Sequence, residues 1–226
     1  MSLNDKVIVI TGAFGQLGRA VTAEVLCQKA RAALLDIAEE DAPNRAHFWR
    51  VDLASLADTQ IAMGAIAAEF GRIDGLVNVA GGFTWQTLES SSDLAAWHRM
   101  YEINAMTCVT ASMAALPYLL KDGGRIVNVG AAAAVRGATG MGPYAAAKSA
   151  VARFTESLSD EIKHRNVAVN AVLPSIIDTP QNRADMPNAD FSAWVTPQDV
   201  AQAIAFLLSD AARSITGALL PVTGRI

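Results

Sequence analysis

The sequence predicts a single α/β domain, spanning residues 1–226, built on one doubly wound parallel sheet of about seven strands with helices on both faces. Three observations predict it. Short β-branched runs alternate with long Ala-rich stretches of helical character. The runs are apolar throughout, as in strands covered on both faces, and parallel neighbours need helical crossovers. The first run also leads through a glycine-rich turn directly into a helix. In order, strands are expected at residues 6–10 (KVIVI), 32–35 (AALL), 48–51 (FWRV), 76–79 (LVNV), 125–129 (RIVNV), 167–172 (VAVNAV) and 218–222 (ALLPV). The stretches between them predict helices over 15–29, 56–70, 93–120, 144–165 and 197–208. Residues 174–197, rich in Pro, Asp and Asn, form the one long irregular region, and a loop of that length in a compact domain is usually functional. It is the expected substrate loop.

A chain of 226 residues that is 52% hydrophobic and 18% charged can bury a large core. Its net charge of −4, without a run of Lys or Arg, gives no electrostatic footprint for nucleic acid or an anionic membrane. The opening MSLNDKVIVITG enters an apolar run at once and lacks the features of a secretory signal, so a cytoplasmic protein is expected. Residues 103–120 carry no formal charge, yet Asn104, Thr107, Thr110, Ser112 and Pro117 interrupt them, which reads as a buried or interface helix and not a membrane span. Cys27 and Cys108 are expected to be reduced, buried thiols, and no metal centre is expected.

The turn TGAFGQLGRA places Gly12, Gly15 and Gly18 between the first strand and its helix, with Phe14, Gln16 and Leu17 between them. Glycines in that context permit a tight turn and close backbone approach to a pyrophosphate, and the helix N-terminus attracts phosphate. Asp36 ends the second predicted strand, where a carboxylate can accept both ribose hydroxyls of an adenosine. The same charge repels a 2′-phosphate, and neighbouring Ala13, Phe14 and Ile37 supply no cation to bind one. NAD(H) is therefore expected over NADP(H).

In order along the chain, TGAFGQLG, VDL (51–53), NVAGG (78–82), Asn104, YAAAK (144–148), LPSIIDTP (173–180) and SITGALLPVTG (214–224) resemble the short-chain dehydrogenase/reductase family. The resemblance implies that Asp52 and Leu53 contact adenine, that Asn78, Ala80 and Gly81 line the cofactor ribose, and that Pro174, Ile177 and Thr179 hold the nicotinamide end. It makes Tyr144 the proton donor, with Lys148 lowering its pKa and binding the nicotinamide ribose, and Asn104 the holder of a relay water. A tyrosine titrates near pH 10 unperturbed, so an adjacent cation is what makes it useful at neutral pH.

The sequence departs from the family pattern at several positions. Gln16 stands where the second glycine is usual, and Ser175 replaces the Gly after Pro174. The family's catalytic serine falls at Ala131, and Thr139 is the one hydroxyl between Ala131 and Tyr144. A methyl group cannot hydrogen-bond a carbonyl oxygen, and losing one such donor costs about a hundredfold or more in rate. The dihydropteridine reductase branch lacks this serine, and GAFGQLG, VAGG, GATGMGPY, LPSIIDTPQNR and MPNADFSAW are similar to it. Asn78 and Asn104 look like the wider family instead. Three readings follow: an NADH-dependent reductase of a conjugated substrate such as quinonoid dihydropteridine; a carbonyl, 3-oxoacyl or hydroxysteroid enzyme in which Thr139 or water replaces the serine; or a non-catalytic NAD(H) sensor. By the same resemblance the helices over 93–120 and 144–165, rich in small residues, pair with their symmetry copies, giving a homodimer or homotetramer.

Overall fold

The computed structural model describes residues 2–90 and 93–225. All seven strands lie in one parallel sheet in the order β3-β2-β1-β4-β5-β6-β7. The chain runs β1 (Val7–Thr11), α1 (Gln16–Cys27), β2 (Arg31–Asp36), β3 (Ala46–Arg50), α2 (Leu56–Phe70) and β4 (Gly75–Asn78). It continues through α3 (Ala95–Met100), α4 (Thr107–Asp122), β5 (Gly124–Val129), α5 (Gly142–Ile162), β6 (Val167–Pro174), α6 (Pro180–Asp185), α7 (Pro197–Leu208) and β7 (Leu219–Val222).

Alternation along each strand divides the core into two layers. In β1, Ile8 and Ile10 pack with Val21, Val25, Ile204 and Leu208 beneath α1 and α7. Val7 and Val9 face the other way, onto Met63, Ile66, Leu119 and Ile126 beneath α2 and α4. Both layers exclude water, which is why the strands read as unbroken apolar runs. Because β1 pairs with both β2 and β4, the winding reverses between β1 and β4, and the crevice at the carboxyl ends of those strands is where such folds bind ligands.

The expected helix over 93–120 is one rod, Ala95–Asp122, with a π-helical segment, Tyr101–Met106, joining α3 to α4. Sequence periodicity does not reveal that widened turn. The rod is long and apolar enough to cross a membrane by length and composition, but half of its most apolar stretch is buried within the fold. The expected substrate loop contains α6 and a 3-10 turn, Phe191–Ala193. The expectation of two buried thiols holds for Cys108 alone. Cys27, the last residue of α1, is exposed; both are free.

A buried polar chain ties the layers beneath the crevice. Asn78 Nδ2 donates to Asn128 Oδ1 (2.8 Å) and to Ser112 Oγ (3.0 Å), and Asn128 Nδ2 donates to Thr155 Oγ1 (2.8 Å). It links β4, β5, α4 and α5 through groups that would each be costly to bury unpaired. Asn128→Ala leaves Asn78 and Thr155 short of a partner and opens a small cavity, so urea unfolding should show a loss of about 2–4 kcal/mol; a loss under about 0.5 kcal/mol would contradict this role.

Candidate active site

The crevice is a groove of about 510 Å³ lined by Gly12, Gly15, Gln16, Leu17, Gly18, Asp36, Asp52, Leu53, Ala80 and Gly81 among the expected cofactor residues, with Ile37, Val51, Val79, Ile103 and Thr107 completing it. Its floor is a close approach of two turns. Gly12 takes φ of 60°, and a Cβ there would lie 2.7 Å from the Cα of Ala80. A Cβ on Gly18 would lie 2.1 Å from the Gly12 carbonyl oxygen. Gly15 has no such crowding and serves as N-cap of α1, whose first turn has no side-chain cap and no acidic residue. The free N–H groups there face the groove end, and the displacement of a second glycine to position 15 leaves the cradle intact. Thr11 Oγ1 accepts from the N–H groups of Val79 (3.0 Å) and Ala80 (3.1 Å), pinning the β4 turn to the end of β1; sequence reasoning assigned that threonine nothing.

Asp36 sits at the end of β2, its Oδ2 accepting from Phe14 N–H (3.0 Å) and its Oδ1 from Ala38 N–H (3.1 Å). The Phe14 ring does not line the groove; it packs on Phe48 at 5.0 Å, so only the residue's backbone faces the Asp36 carboxylate. Asp52, exposed, caps its own turn by accepting from Ala54 N–H, while Leu53 is buried. Asn78 departs from expectation: it is the last residue of β4, shares the face of Leu76, and turns into the α4 layer instead of toward the groove. Neighbouring Ala13, Phe14 and Ile37 supply no cation, but Arg19, further along α1, donates from Nε to the Phe14 carbonyl (2.8 Å), at the other end of the residue whose N–H meets Asp36.

Tyr144 and Lys148 are not among the residues lining this groove; α5 brings them onto one face, with Lys148 Nζ beside the Gly81 turn that does line it. Lys148 is 5% exposed and donates to the Val129 carbonyl at 2.8 Å, its one hydrogen bond among the described residues. Burial pulls its pKa down to about 8, against a weak opposing effect of Cys108. Tyr144 is half-buried, and burial pushes its pKa up to about 12. The expected lowering by Lys148 is not seen, since the ammonium sits 5.9 Å from the centre of the tyrosine ring and is turned to Val129. Tyr144 therefore stays protonated at neutral pH, as a proton donor must.

Asn104 lies within the π segment. Its Nδ2 donates to the carbonyls of Gly82 and Met100 (both 3.0 Å) and its Oδ1 accepts from Gly82 N–H (3.2 Å). Those bonds clamp the Gly81–Gly82 turn and commit the Asn104 side chain, leaving its role as holder of a relay water to its backbone. A Cβ on Gly81 would lie 2.4 Å from Asn104 Oδ1 and 3.6 Å from Lys148 Nζ, so this turn is pressed against both residues. Pro174 ends β6, Ile177 bridges to Val195, and Thr179 Oγ1 caps α6 by accepting from Asn182 N–H (3.1 Å), so these three shape the loop after β6 and, like Tyr144 and Lys148, are not among the residues lining the groove.

Ala131 is buried just beyond β5 and begins the 3-10 turn Ala132–Ala134. Thr139 is exposed, and the Ser149 Oγ hydrogen is committed to the Ala134 carbonyl (2.9 Å). The mouth is instead aromatic. Phe83 meets the Tyr144 ring edge to face at 5.1 Å, and Trp85 lies against Gly140, where a Cβ would lie 2.0 Å from the indole Nε1. Phe83 and Trp85 are 53% and 59% exposed. Sequence reasoning missed both, although they directly follow the NVAGG turn.

The short chain dehydrogenase family profile matches residues 6–190. The chain is 32% identical to 2-(S)-hydroxypropyl-CoM dehydrogenase 3 of Xanthobacter autotrophicus, covering 98% of this chain and 96% of that one. It is likewise 32% identical to the 3-oxoacyl acyl-carrier-protein reductase of Salmonella typhimurium, over 99% and 98%. Among solved structures, the Brucella melitensis 3-ketoacyl acyl-carrier-protein reductase complexed with NADH superposes with a TM-score of 0.88 at 27% identity over 100% of both chains. The Thermoplasma acidophilum aldohexose dehydrogenase superposes with a TM-score of 0.90 at 29% identity, over 98% and 94%.

Burial of Lys148 has a measurable consequence. Its folded pKa of about 8 lies below the ordinary 10.5, so folding opposes the charged form fully below pH 8, and that penalty fades as pH rises toward 10.5. Lys148→Met should raise stability to urea at pH 7 by about 1–3 kcal/mol, with the advantage shrinking between pH 8 and 10.5. A variant less stable than the parent at pH 7 would contradict the burial argument.

Proposed function

The chain belongs to the short-chain dehydrogenase family of oxidoreductases, and on that premise we propose that it is an NAD(H)-dependent reductase acting on a flat, conjugated ring, with quinonoid dihydropteridine as the representative substrate. The observation that carries this reading is the pairing of Ala131 with the aromatic mouth. A ketone develops its negative charge on one oxygen and needs a fixed donor there. Hydride arriving at a quinonoid ring spreads charge over the conjugated system, and a planar ring gains from stacking on Phe83 and Trp85. A methyl group at 131 suits the second case.

The groove fits a dinucleotide on its own geometry. The crowded Gly12–Gly18 turn and the uncapped start of α1 form a pyrophosphate cradle, and Asp36 stands where the adenosine ribose would lie. When bound, NADH would supply the hydride. Lys148, with one of its three N–H donors committed to Val129, has two left for ribose hydroxyls. Tyr144, neutral and within the aromatic mouth, gives its hydroxyl proton to the reduced product. Asn104 holds the Gly81–Gly82 turn against Lys148. Asp36 favours NADH over NADPH by repelling a 2′-phosphate.

A second reading, reduction or oxidation at a simple carbonyl or alcohol, is favoured by the names of the relatives, which act on hydroxypropyl and 3-oxoacyl groups. In that case Thr139 or bound water replaces the serine. Retention of both Tyr144 and Lys148 argues against a sensor that only binds NAD(H), which needs no proton donor. We also propose that the enzyme works in the cytoplasm as a homodimer or homotetramer, through the faces of α4 and α5 near exposed Met106 and Met113; light scattering at micromolar protein would show a monomer if this is wrong.

NADH oxidation by purified protein should proceed readily with quinonoid dihydropteridine and slowly with a panel of ketones. Tyr144→Phe should lower kcat by about 100-fold or more. Ala131→Ser should change ring reduction little, once equal NADH binding is established. A gain of about tenfold to a thousandfold in ketone reduction by the serine variant, with no parental activity on the ring, would refute the conjugated-substrate reading and leave the carbonyl one.

A further inference from the structure

Two arginines belong to the surroundings of Asp36, Arg19 through Phe14 and Arg50 as its neighbour on β3, and each is paired with a glutamate of the loop after β2. Arg19, in α1, donates through Nε to the Phe14 carbonyl (2.8 Å), while Asp36 Oδ2 accepts from the Phe14 N–H (3.0 Å), so the backbone of one residue, Phe14, stands between the two charges. Arg19 Nη2 is ion-paired to Glu40 Oε2, and its guanidinium lies 5.7 Å from the centre of the Phe14 ring. Arg50 is the β3 residue in register with Asp36, and its Nη1 lies 3.9 Å from Glu39 Oε2. Glu39 and Glu40 are adjacent on the loop that leaves β2, and Asp41 follows them. The carboxylates around the adenosine end are thus Asp36, Glu39, Glu40 and Asp41, against the guanidinium groups of Arg19 and Arg50.

An arginine beside the ribose-binding carboxylate is the group that accommodates a 2′-phosphate. Both cations here are available by position and compromised by pairing. We infer that Glu39 and Glu40 guard cofactor choice: they hold Arg50 and Arg19 away from a 2′-phosphate, so that the loop after β2, and not Asp36 alone, sets the preference for NADH. This rests on the NADH preference proposed above. Glu40 is the stronger element because its ion pair with Arg19 is direct, and Glu39 at 3.9 Å adds mainly to the field. The pairs lie at the surface, where single ion pairs are weak, so a phosphate can capture an arginine once its glutamate is gone.

The test is direct binding of NADH, NADPH and the probe 2′,5′-ADP to the intact protein and to Glu40→Gln, which keeps the size of the side chain. Neither measurement depends on turnover. Glu40→Gln should bind NADPH and 2′,5′-ADP about five- to tenfold more tightly, with NADH affinity unchanged within about twofold, and the gain should shrink as salt is raised. Adding Arg19→Leu should abolish the gain, because the guanidinium supplies it. A retained preference for NADH with unmoved NADPH affinity in Glu40→Gln would overturn the guard. So would a gain that survives Arg19→Leu, since simple loss of negative charge would then explain it. A parental protein that already binds NADPH as tightly as NADH would overturn the NADH preference itself, and the guard with it.

Discussion

The site is organised around one ammonium group taken out of water. Lys148 projects from α5 into a space bounded by the end of β5, the Gly81–Gly82 turn and the π segment, with the Val129 carbonyl as its single acceptor among the described residues. An ammonium in that setting is short of partners, and burial lowers its pKa to about 8. The residues around it are small or fixed for that reason. Gly81 lets the β4 turn approach Nζ, and Asn104 holds that turn through both its Oδ1 and its Nδ2, with the second Nδ2 hydrogen on the Met100 carbonyl. The widened helical turn at Tyr101–Met106 is what brings Asn104 to it, consistent with the tendency of π segments to lie at functional sites.

The rest of the groove is built by the same means, close backbone contact held by a few polar anchors. Thr11 fastens the β4 turn to β1, Gly12 and Gly18 allow the first turn to fold onto it, and the Asn78–Asn128–Thr155 chain fixes the strands below. A rigid floor leaves specificity to the rim. At the Tyr144 end the rim is aromatic, with Ala131 in place of a hydroxyl residue, and at the Asp36 end it is a set of mutually paired charges.

Much of this was legible in the sequence because it is local. The seven strands, the glycine turn, Asp36, Tyr144 and Lys148 each follow from a short pattern whose geometry the backbone dictates. What escaped depends on contacts between distant segments. Phe83 and Trp85 acquire meaning only when the turn after β4 folds over Gly140 and Tyr144. Arg19 was in view within the glycine motif, but its approach to Asp36 runs through the Phe14 peptide and Glu40. Asn78 was misplaced although its parity with Leu76 already put it on the α4 face. The π segment has no periodic signature in six residues, Tyr101–Met106. Nor does sequence report solvation, so a Tyr–Lys pair suggested a lowered tyrosine pKa where burial raises it to about 12.

The most direct test of the account is an NMR titration of the Lys148 side chain in the otherwise native protein, alone and with saturating NADH. The account predicts a pKa near 8 for the protein alone and a higher value with NADH, because ribose hydroxyls would accept from the two uncommitted N–H donors and favour the charged form. A lysine that titrates near its ordinary value of 10.5, and does not respond to NADH, would contradict the claim that this buried ammonium is the centre of the cofactor site.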